Sequence, residues 1–239
     1  MLPADLDGWL AHIERLHPKT IAMGLERVAA VRGALGIAQW CPVIIVGGTN
    51  GKGSTCAMLE AILLAAGYRV GTYTSPHILR YNERVHIDGR DATDAALSEG
   101  FSAVEAARGN VELTYFEFGT LAAWATFARA KPDVLVMEIG LGGRLDAVNV
   151  FEPDCSILTS VDMDHMEYLG DTREKIGWEK AHIFRNGRPA VCGDPVPPAT
   201  VGEVAAAIGA DLQMIGRDFG YEGDRQQWRY WGRGGTRAG

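Results

Sequence analysis

The sequence has few cysteines, no excess of basic residues and no long hydrophobic run. Its four cysteines (Cys41, Cys56, Cys155 and Cys192) are widely separated and form no C-x-x-C pair, so we expect reduced core thiols. The net charge of −7, with no basic stripe, argues against a nucleic-acid partner. No apolar run reaches spanning length, and the N-terminus lacks a signal-peptide pattern. We therefore expect a cytoplasmic protein without a membrane partner.

Strand and helical patterns alternate along the 239 residues, and 47% of the residues are hydrophobic. This content supports a large core, and the alternation predicts an α/β fold with a doubly wound, mainly parallel sheet. The predicted strands cover residues 43–46, 69–73, 134–137, 155–158, 189–192 and 212–215, and residues 80–85 are expected to be extended. The predicted helices cover residues 6–16, 25–35, 58–64, 93–107, 117–130 and 173–184. Ligands of such sheets bind at the carboxyl ends of the strands.

A glycine-rich turn joins the first predicted strand to a helical pattern, which is the order of a phosphate-binding P-loop. The turn consists of Gly48, Thr49, Asn50, Gly51, Lys52, Gly53, Ser54 and Thr55. Its glycines allow backbone N–H groups to converge on phosphate oxygens, and Lys52 supplies a positive charge. Ser54 or Thr55 could approach Mg²⁺. The spacing departs from G-x-x-x-x-G-K-[ST], and the alternative is an ordinary strand-to-helix turn with a solvated lysine.

Polar residues follow three other predicted strands. Glu138 closes the strand at 134–137, where a carboxylate could meet Mg²⁺ or could cap a neighbouring helix. Ser75 precedes Pro76, which favours an extended backbone that exposes the serine hydroxyl. His165 could be a ligand or a structural hydrogen-bonding group, and Lys180 would ordinarily be an exposed lysine on a helix. The sequence therefore places candidate metal ligands at one sheet edge.

The end of the chain has a different composition. From Tyr221 onward, aromatic residues mix with arginines and glycines, and residues 232–239 show no periodicity. A nucleic-acid-binding arginine–glycine tail is one reading, but the segment is short. We predict one domain over residues 1–218 and an irregular tail or the start of a linker over 219–239.

Five segments occur in an order that resembles one protein family. They read V-G-G-T-N-G-K-G-S-T, T-S-P-H-I-L-R-Y-N-E-R-V, L-T-Y-F-E-F-G-T-L, E-I-G-L-G-G-R-L-D-A-V-N and D-H-M-E-Y-L-G. The sequence resembles the bacterial bifunctional dihydrofolate synthase/folylpolyglutamate synthases of the Mur ligase superfamily. Residues 19–27 and 114–117 resemble the pterin-binding branch. The resemblance implies a Mur-ligase-type central domain.

The same resemblance assigns roles to individual residues. It implies that residues 48–55 hold the phosphates of ATP, with Lys52 on the β/γ side. It implies two Mg²⁺ ions, with Ser75 and Glu138 as ligands of the first and His165 of the second, and a carbamylated Lys180 near the second. Lys52, Lys180 and His165 would then serve catalysis. The substrate-binding residues that it implies are Met23, Gly24, Leu25, Thr114, Tyr115, Phe116 and Glu117.

The implied activity is the ATP-dependent addition of L-glutamate to dihydropteroate or folates through an acyl phosphate, by a monomeric enzyme. Two positions depart from the family: Ala22 stands where an acidic residue is frequent, and His182 where glycine is usual. The family also has a second α/β domain that completes the site, which this chain lacks, so we expect a truncated protein that is inactive alone. The alternatives are a nucleotide-binding remnant without catalysis, a peptidoglycan Mur ligase and a P-loop kinase.

Overall fold

The computed structural model describes residues 2–18, 21–224 and 226–238, which contain eight α-helices and eleven β-strands. Lys19 and Thr20 of the predicted substrate segment lie outside the described residues. The helices are α1 (Leu6–Glu14), α2 (Glu26–Leu35), α3 (Lys52–Ala65), α4 (Asp94–Arg108), α5 (Tyr115–Ala130), α6 (Met166–Leu169), α7 (Arg173–Ala181) and α8 (Ala199–Ile208). The strands are β1 (Val43–Gly47), β2 (Val70–Tyr73), β3 (Val85–Ile87), β4 (Arg90–Asp91), β5 (Val134–Glu138), β6 (Cys155–Leu158), β7 (Pro189–Cys192), β8 (Asp211–Met214), β9 (Gly220–Gly223), β10 (Trp228–Gly232) and β11 (Gly235–Ala238).

Eight strands form one sheet in the order β4-β3-β2-β5-β1-β6-β7-β8. The six strands from β2 to β8 in this order are parallel neighbours, while β3 and β4 add an antiparallel edge. Central β1 is a nearly continuous apolar run because both faces of the sheet are covered there. The carboxyl ends of β1, β2, β5 and β6 meet at one edge. The predicted α/β fold with a mainly parallel sheet is confirmed.

Two hydrophobic clusters lie on opposite faces of this sheet. The first includes Val43 and Ile45 of β1 and buried hydrophobic side chains from every described helix except α3. The second includes Val46 of β1, Cys56 of α3 and Val136 of β5. Because successive side chains of a strand point to opposite faces of the sheet, neighbouring residues of β1 belong to different clusters. Helices therefore cover both faces, and α3 lies on the face opposite the others.

Two predicted elements differ from the structure next to the site. Residues 80–85, expected to be extended, instead form a 3₁₀ turn at Tyr81–Arg84 before β3. The carboxylate of Glu83 causes the turn, since it accepts hydrogen bonds from the backbone N–H groups of Ile78, Leu79 and Arg80. The helix predicted over 173–184 ends at Ala181.

The description of residues 219–239 as irregular is wrong. Strands β9, β10 and β11 form a small antiparallel sheet, with Tyr230 opposite both Tyr221 and Arg237. The strands β10 and β11 are joined by Arg233 and Gly234, a two-residue connection typical of β-hairpins. Glycine and arginine in the short strands hide their alternating pattern. The two-residue turn was the feature of the sequence that could have predicted the hairpin. Within the described part of the chain, no helix is both long and apolar enough to cross a membrane.

Candidate active site

The glycine-rich turn after β1 is fixed by hydrogen bonds to the segment after β6. The N–H of Thr49 donates to the Ser160 carbonyl oxygen at 2.8 Å, and that of Asn50 to Ser160 Oγ at 3.1 Å. Thr159 Oγ1 donates to the Asn50 carbonyl oxygen at 2.7 Å. Thr159 and Ser160 therefore shape the turn, a role that sequence reasoning did not assign. Finding it requires knowing that β1 and β6 are neighbours, although they lie about a hundred residues apart.

Two glycines of the turn occupy positions that other residues would not tolerate. Gly48 has φ 140°, and a Cβ there would overlap Thr159 Oγ1. Gly51 has φ 84° and precedes α3, whose first turn has no side-chain cap. The uncapped N–H groups and the helix dipole make this end of α3 suited to an anion. The strand, turn and helix therefore have the geometry of a phosphate-binding loop.

Two lysines meet at one carbonyl oxygen of the turn. Lys52 Nζ donates to the carbonyl oxygens of Gly48 and Thr49 at 3.1 and 3.3 Å, and Lys180 Nζ donates to that of Gly48 at 3.2 Å. Lys180 is only 2% exposed, so its reading as an exposed helical lysine is wrong. Burial, with the nearby charge of Lys52, lowers the pKa of Lys180 to about 8. Its amine is thus neutral in a larger fraction of molecules than that of an ordinary lysine.

Ser75 and Glu138 lie side by side at the ends of β2 and β5. The backbone N–H of Ser75 donates to Glu138 Oε2 at 3.1 Å, and the Ser75–Pro76 peptide bond is cis. Burial raises the pKa of Glu138, while the Ser75 N–H and the charge of Lys52 act in the opposite direction. A buried carboxylate without an ion-pair partner is suited to a cation. The oxygen donors Ser75 and Glu138 fit a magnesium ion that also binds nucleotide phosphates.

His165 lies further along the same edge. It has φ 44°, precedes α6, and its Nε2 is 3.5 Å from Asp164 Oδ1. In the described ranges, no three His, Cys, Asp or Glu side chains are grouped closely enough to hold a metal by themselves. Ser75 and His165 nevertheless line the same large cavity.

The large cavity has a volume of about 990 Å³ and opens beside Lys52. Its walls come from α1, the segment before α2, the start of α5 and the loop after β5. The predicted substrate residues that line it are Met23, Thr114, Tyr115, Phe116 and Glu117. Gly24 and Leu25 do not line it: Gly24 has φ 146°, and Leu25 packs against the hydrophobic core. Five of the seven predicted substrate-binding residues therefore form part of the cavity wall, and the other two lie outside it.

The carboxylate of Glu117 is engaged by neighbouring groups of the protein. Its two oxygens accept hydrogen bonds from Arg27 Nε and Nη2 at 3.2 and 2.8 Å, and Oε2 also accepts one from the Thr114 N–H. Thr114 Oγ1 in turn accepts the N–H of Glu117, completing a capping box at the start of α5. Glu117 thus fixes the wall of the cavity.

Asp146 is a cavity residue to which sequence reasoning gave no role. It is buried, and its carboxylate accepts the N–H groups of Leu141 and Val148 at 2.8 and 2.9 Å. Burial raises the pKa of Asp146 to about 7 in spite of these hydrogen bonds. Its position after the glycine-rich segment 140–143 was the available signal. It gives the cavity a carboxyl group that can donate or accept a hydrogen bond near neutral pH.

Comparison with known proteins agrees with this geometry. The family described as the Mur ligase middle domain matches residues 46–192. The dihydrofolate synthase/folylpolyglutamate synthase of Escherichia coli is 48% identical over 228 residues, which cover 95% of this chain and 54% of that protein. The protein of the same name from Haemophilus influenzae is 45% identical over 228 residues, covering 95% and 52%. The chain thus spans about half the length of these curated relatives.

Solved structures show the same likeness. The chain is similar to Escherichia coli FolC in complex with DHPP and ADP, with a TM-score of 0.96, 47% identity and coverage of 99% of this chain and 57% of that one. It is also similar to a bifunctional folylpolyglutamate synthase/dihydrofolate synthase from Yersinia pestis complexed with AMPPNP and Mn ion. There the TM-score is 0.93 and the identity 46%, with coverage of 99% and 58%.

Proposed function

This chain belongs to the Mur ligase family, and we propose that it forms the ATP-binding part of a ligase that adds L-glutamate to dihydropteroate or a folate. One observation carries the proposal: the phosphate-binding loop, Lys52 and the Ser75–Glu138 pair meet at one sheet edge, beside a cavity of about 990 Å³. Such a cavity can hold an organic acid next to the phosphates of a nucleotide. The relatives named above include enzymes that carry this activity in their names.

The phosphates of ATP would bind along residues 48–55. The N–H groups at the start of α3 face the anion, and Lys52 would exchange its two carbonyl partners for the β- and γ-phosphate oxygens. Ser54 lines a smaller cavity beside this end of α3, whereas Thr55 Oγ1 donates to the Gly51 carbonyl oxygen. The phosphates of a bound nucleotide would thus lie close to Ser75 and Glu138.

Two magnesium ions are part of the proposal. Ser75 and Glu138 would hold the first, and His165 with a carbamylated Lys180 would hold the second. When bound, the ions neutralise charge on the phosphoryl group during its transfer. The buried carboxylate of Glu138, which forms no salt bridge with another described residue, supports the first site. A structure of a similar enzyme has Mn, AMPPNP and L-glutamate bound.

Carbamylation of Lys180 is supported by its surroundings. Its side chain is buried, its amine donates a hydrogen bond to the Gly48 carbonyl oxygen, and its lowered pKa increases the fraction of neutral amine. A neutral amine can attack CO₂, forming an N–C bond and releasing one proton to give a carbamate. The product carries a negative charge near Lys52, which would replace a repulsion with an attraction. A ¹³C NMR carbamate signal that appears with ¹³CO₂ and is absent from Lys180→Arg would support it.

The large cavity would bind the dihydropteroate or folate. Phe116 and Tyr115 offer aromatic faces, while Thr114 and Glu117 fix the start of α5. Met23 also lines the cavity, and Gly24 and Leu25 would act by shaping the segment that carries it. Asp146 could exchange hydrogen bonds with a heterocycle because its pKa lies near neutrality. Its place in the wall supports a polar, ring-containing substrate.

The chemistry follows from this arrangement. A carboxylate oxygen of the substrate attacks the γ-phosphorus of ATP, the bond to ADP breaks, and an acyl phosphate forms. The amine of L-glutamate then attacks the acyl carbon, loses a proton and displaces phosphate to leave an amide. Lys52 would stabilise charge on the transferring phosphoryl group, and the loop would align it with the carboxylate. The proposal includes a monomeric, cytoplasmic protein without nucleic-acid or membrane partners, consistent with four free cysteines.

The test is ADP release with ATP, Mg²⁺, L-glutamate and dihydropteroate or a folate. It is measured for this 239-residue chain and for the protein extended through its natural reading frame. We expect glutamate-dependent release, abolished by Lys52→Ala, in the extended protein. Release without dependence on glutamate or pterin, or release only with a peptidoglycan precursor, would overturn the folate assignment. Retention of the 239-residue chain on a matrix that carries ADP tests nucleotide binding separately.

A further inference from the structure

Four polar side chains converge beside the phosphate-binding loop without a part in the proposed reaction. Thr72 lies opposite His86 in the β2–β3 pairing, and His86 lies opposite Asp91 in the β3–β4 pairing. This register puts the three side chains in one row on one face of the sheet. Glu60 of α3 packs over the row and is 8% exposed. The four residues therefore connect the helix that begins at the phosphate-binding loop with the antiparallel edge of the sheet.

The contacts of His86 favour a protonated imidazole. His86 Nδ1 is 3.1 Å from Glu60 Oε2, and His86 Nε2 is 3.3 Å from Asp91 Oδ1. Nδ1 is within hydrogen-bond distance of Glu60, and Asp91 lies within ion-pair distance of Nε2. Carboxylates therefore face both ring nitrogens and favour the imidazolium ion, which has an N–H group on each. Thr72 Oγ1 donates to Glu60 Oε1 at 3.0 Å, which completes the set. The geometry thus describes a cation between two anions.

Three carboxylates act on His86. Glu60 faces it from α3, Asp91 from β4 and Glu83 from the turn before β3, while β2 presents the uncharged Thr72. The hydrogen bond to Glu60 raises the pKa of His86, against the effect of burial. Burial acts to raise the pKa of Glu60, but its bonds to His86 and Thr72 hold the value below the ordinary one. Both directions agree with an ion pair at neutral pH.

This ion pair borders the place where phosphates would bind. A cavity of about 380 Å³ is lined by Gly53 and Ser54 at the start of α3, by Ser75 and Glu138, and by Glu60 and His86. Two buried carboxylates thus share a cavity with an anion-binding helix end. Without a counter-charge, Glu60 would repel phosphate oxygens, and the interaction is strong where few water molecules screen it.

We propose that protonated His86 offsets the charge of Glu60 in this cavity and thereby strengthens the binding of nucleotide phosphates at the start of α3. His86 is a positioning residue in this role because it acts through Glu60. The inference rests on the proposed nucleotide site and adds a regulated property to it. Above the pKa of His86 the imidazole is neutral and Glu60 is uncompensated. Nucleotide affinity therefore falls as the pH rises through that value, and bound nucleotide raises the pKa by linkage.

The test compares Mg²⁺-ADP affinity by calorimetry from pH 5.5 to 8.5 in the 239-residue chain and its variants. For the unchanged chain, we expect deprotonation of His86 to lower the affinity about fivefold across this range. A change of about fivefold is at the lower end of the usual coupling between two sites. His86→Arg keeps a permanent cation that can donate to both carboxylates, so this fall should disappear from its profile. His86→Gln should have the weaker affinity throughout. Histidine ¹⁵N NMR should show both ring nitrogens of His86 protonated at pH 6.

The matched control is His12→Gln, because His12 Nε2 also contacts a carboxylate, Glu105 Oε2 at 3.2 Å, but His12 lines neither the large nor the smaller cavity. Its profile should match that of the unchanged chain. A merely structural role would lower the melting temperature of the His86 variants while leaving the shape of the affinity profile unchanged, and would overturn the inference. Absence of ADP binding by the folded, unchanged chain at every pH would instead refute the proposed nucleotide site and the inference that rests on it.

Discussion

At the scale of single residues, the Gly48 carbonyl oxygen accepts hydrogen bonds from both Lys52 and Lys180. Because Lys180 remains a donor to this oxygen, Lys52→Ala should leave the loop folded. It removes the cation proposed to meet phosphate, so we expect ADP affinity to fall about 10- to 100-fold, the effect of losing a charged hydrogen bond. Calorimetry with Mg²⁺-ADP and a thermal melt would measure the two properties.

The control for this substitution is Lys175→Ala. Lys175 Nζ is 2.7 Å from Asp171 Oδ1, and both side chains are largely exposed. Removing such a pair changes stability by less than about 0.5 kcal/mol and should not change ADP affinity. Equal affinities for the Lys52 and Lys175 variants would contradict the role given to Lys52.

Lys180 should also make stability depend on pH. Its pKa is about 8 in the folded chain against an ordinary 10.5, so between these values the unfolded chain binds more protons. Stability therefore rises with pH across this window, by at most about 3 kcal/mol. Urea unfolding of the chain and of Lys180→Met, from pH 7 to 10 in CO₂-free buffer, measures the effect. The difference between the two should grow with pH, and parallel curves would show that Lys180 does not titrate there.

At the scale of elements, the pair between Arg27 of α2 and Glu117 of α5 joins two walls of the large cavity. Arg27 Nη2 also donates to the Ala22 carbonyl oxygen at 2.7 Å, so one guanidinium fixes the segment before α2. Arg27→Ala leaves the buried Glu117 carboxylate without its cation. We expect a loss of about 2–4 kcal/mol in the free energy of unfolding, measured with urea.

Arg129→Ala offers the comparison. Arg129 Nη2 lies 2.7 Å from Glu99 Oε2, but both side chains are more than half exposed. Water already solvates these charges, so the loss should stay below about 1 kcal/mol. If both arginine substitutions cost the same, burial of Glu117 would not be the source of the effect.

Some of the strands could be predicted from the sequence, whereas one turn and one row of side chains could not. Residues 43–46 and 134–137 were predicted as strands from local apolar runs, and the structure confirms both with one further residue each. The turn at Tyr81–Arg84 was missed because Glu83 satisfies the N–H groups of three preceding residues, a contact that no periodicity records. The row of Thr72, His86 and Asp91 depends on the register of three strands. Local sequence patterns thus predicted where strands lie, but the contacts between side chains of different strands depend on how the strands pair.

At the scale of the whole molecule, the same distinction applies to the site. Ser75 and Glu138 could be placed together in advance because parallel strands end at one edge. The meeting of Lys52 and Lys180 could not, since it requires the position of α7 relative to the loop. Burial of Lys180 likewise depends on packing that its own polar sequence neighbourhood does not indicate.

The small sheet of β9, β10 and β11 contributes little to the main core. In the described chain, neither hydrophobic cluster includes a residue after Met214. The pair between Arg233 and Asp211 is exposed on both sides. A chain that ends at Phe219 should therefore lose about 1 kcal/mol or less of its free energy of unfolding and keep its affinity for ADP. Urea unfolding and calorimetry would show this, and loss of folding would mean that the small sheet supports the domain.

The central place of β1 has a consequence for the order in which a ribosome makes this protein. Its neighbours, β5 and β6, begin at Val134 and Cys155, and Ser160 fixes the turn that follows β1. A nascent chain has therefore made the whole phosphate-binding loop long before the partners that shape it exist. Until residue 138 leaves the exit tunnel, the apolar strand 43–47 has no parallel neighbour and is exposed to aggregation and to chaperones.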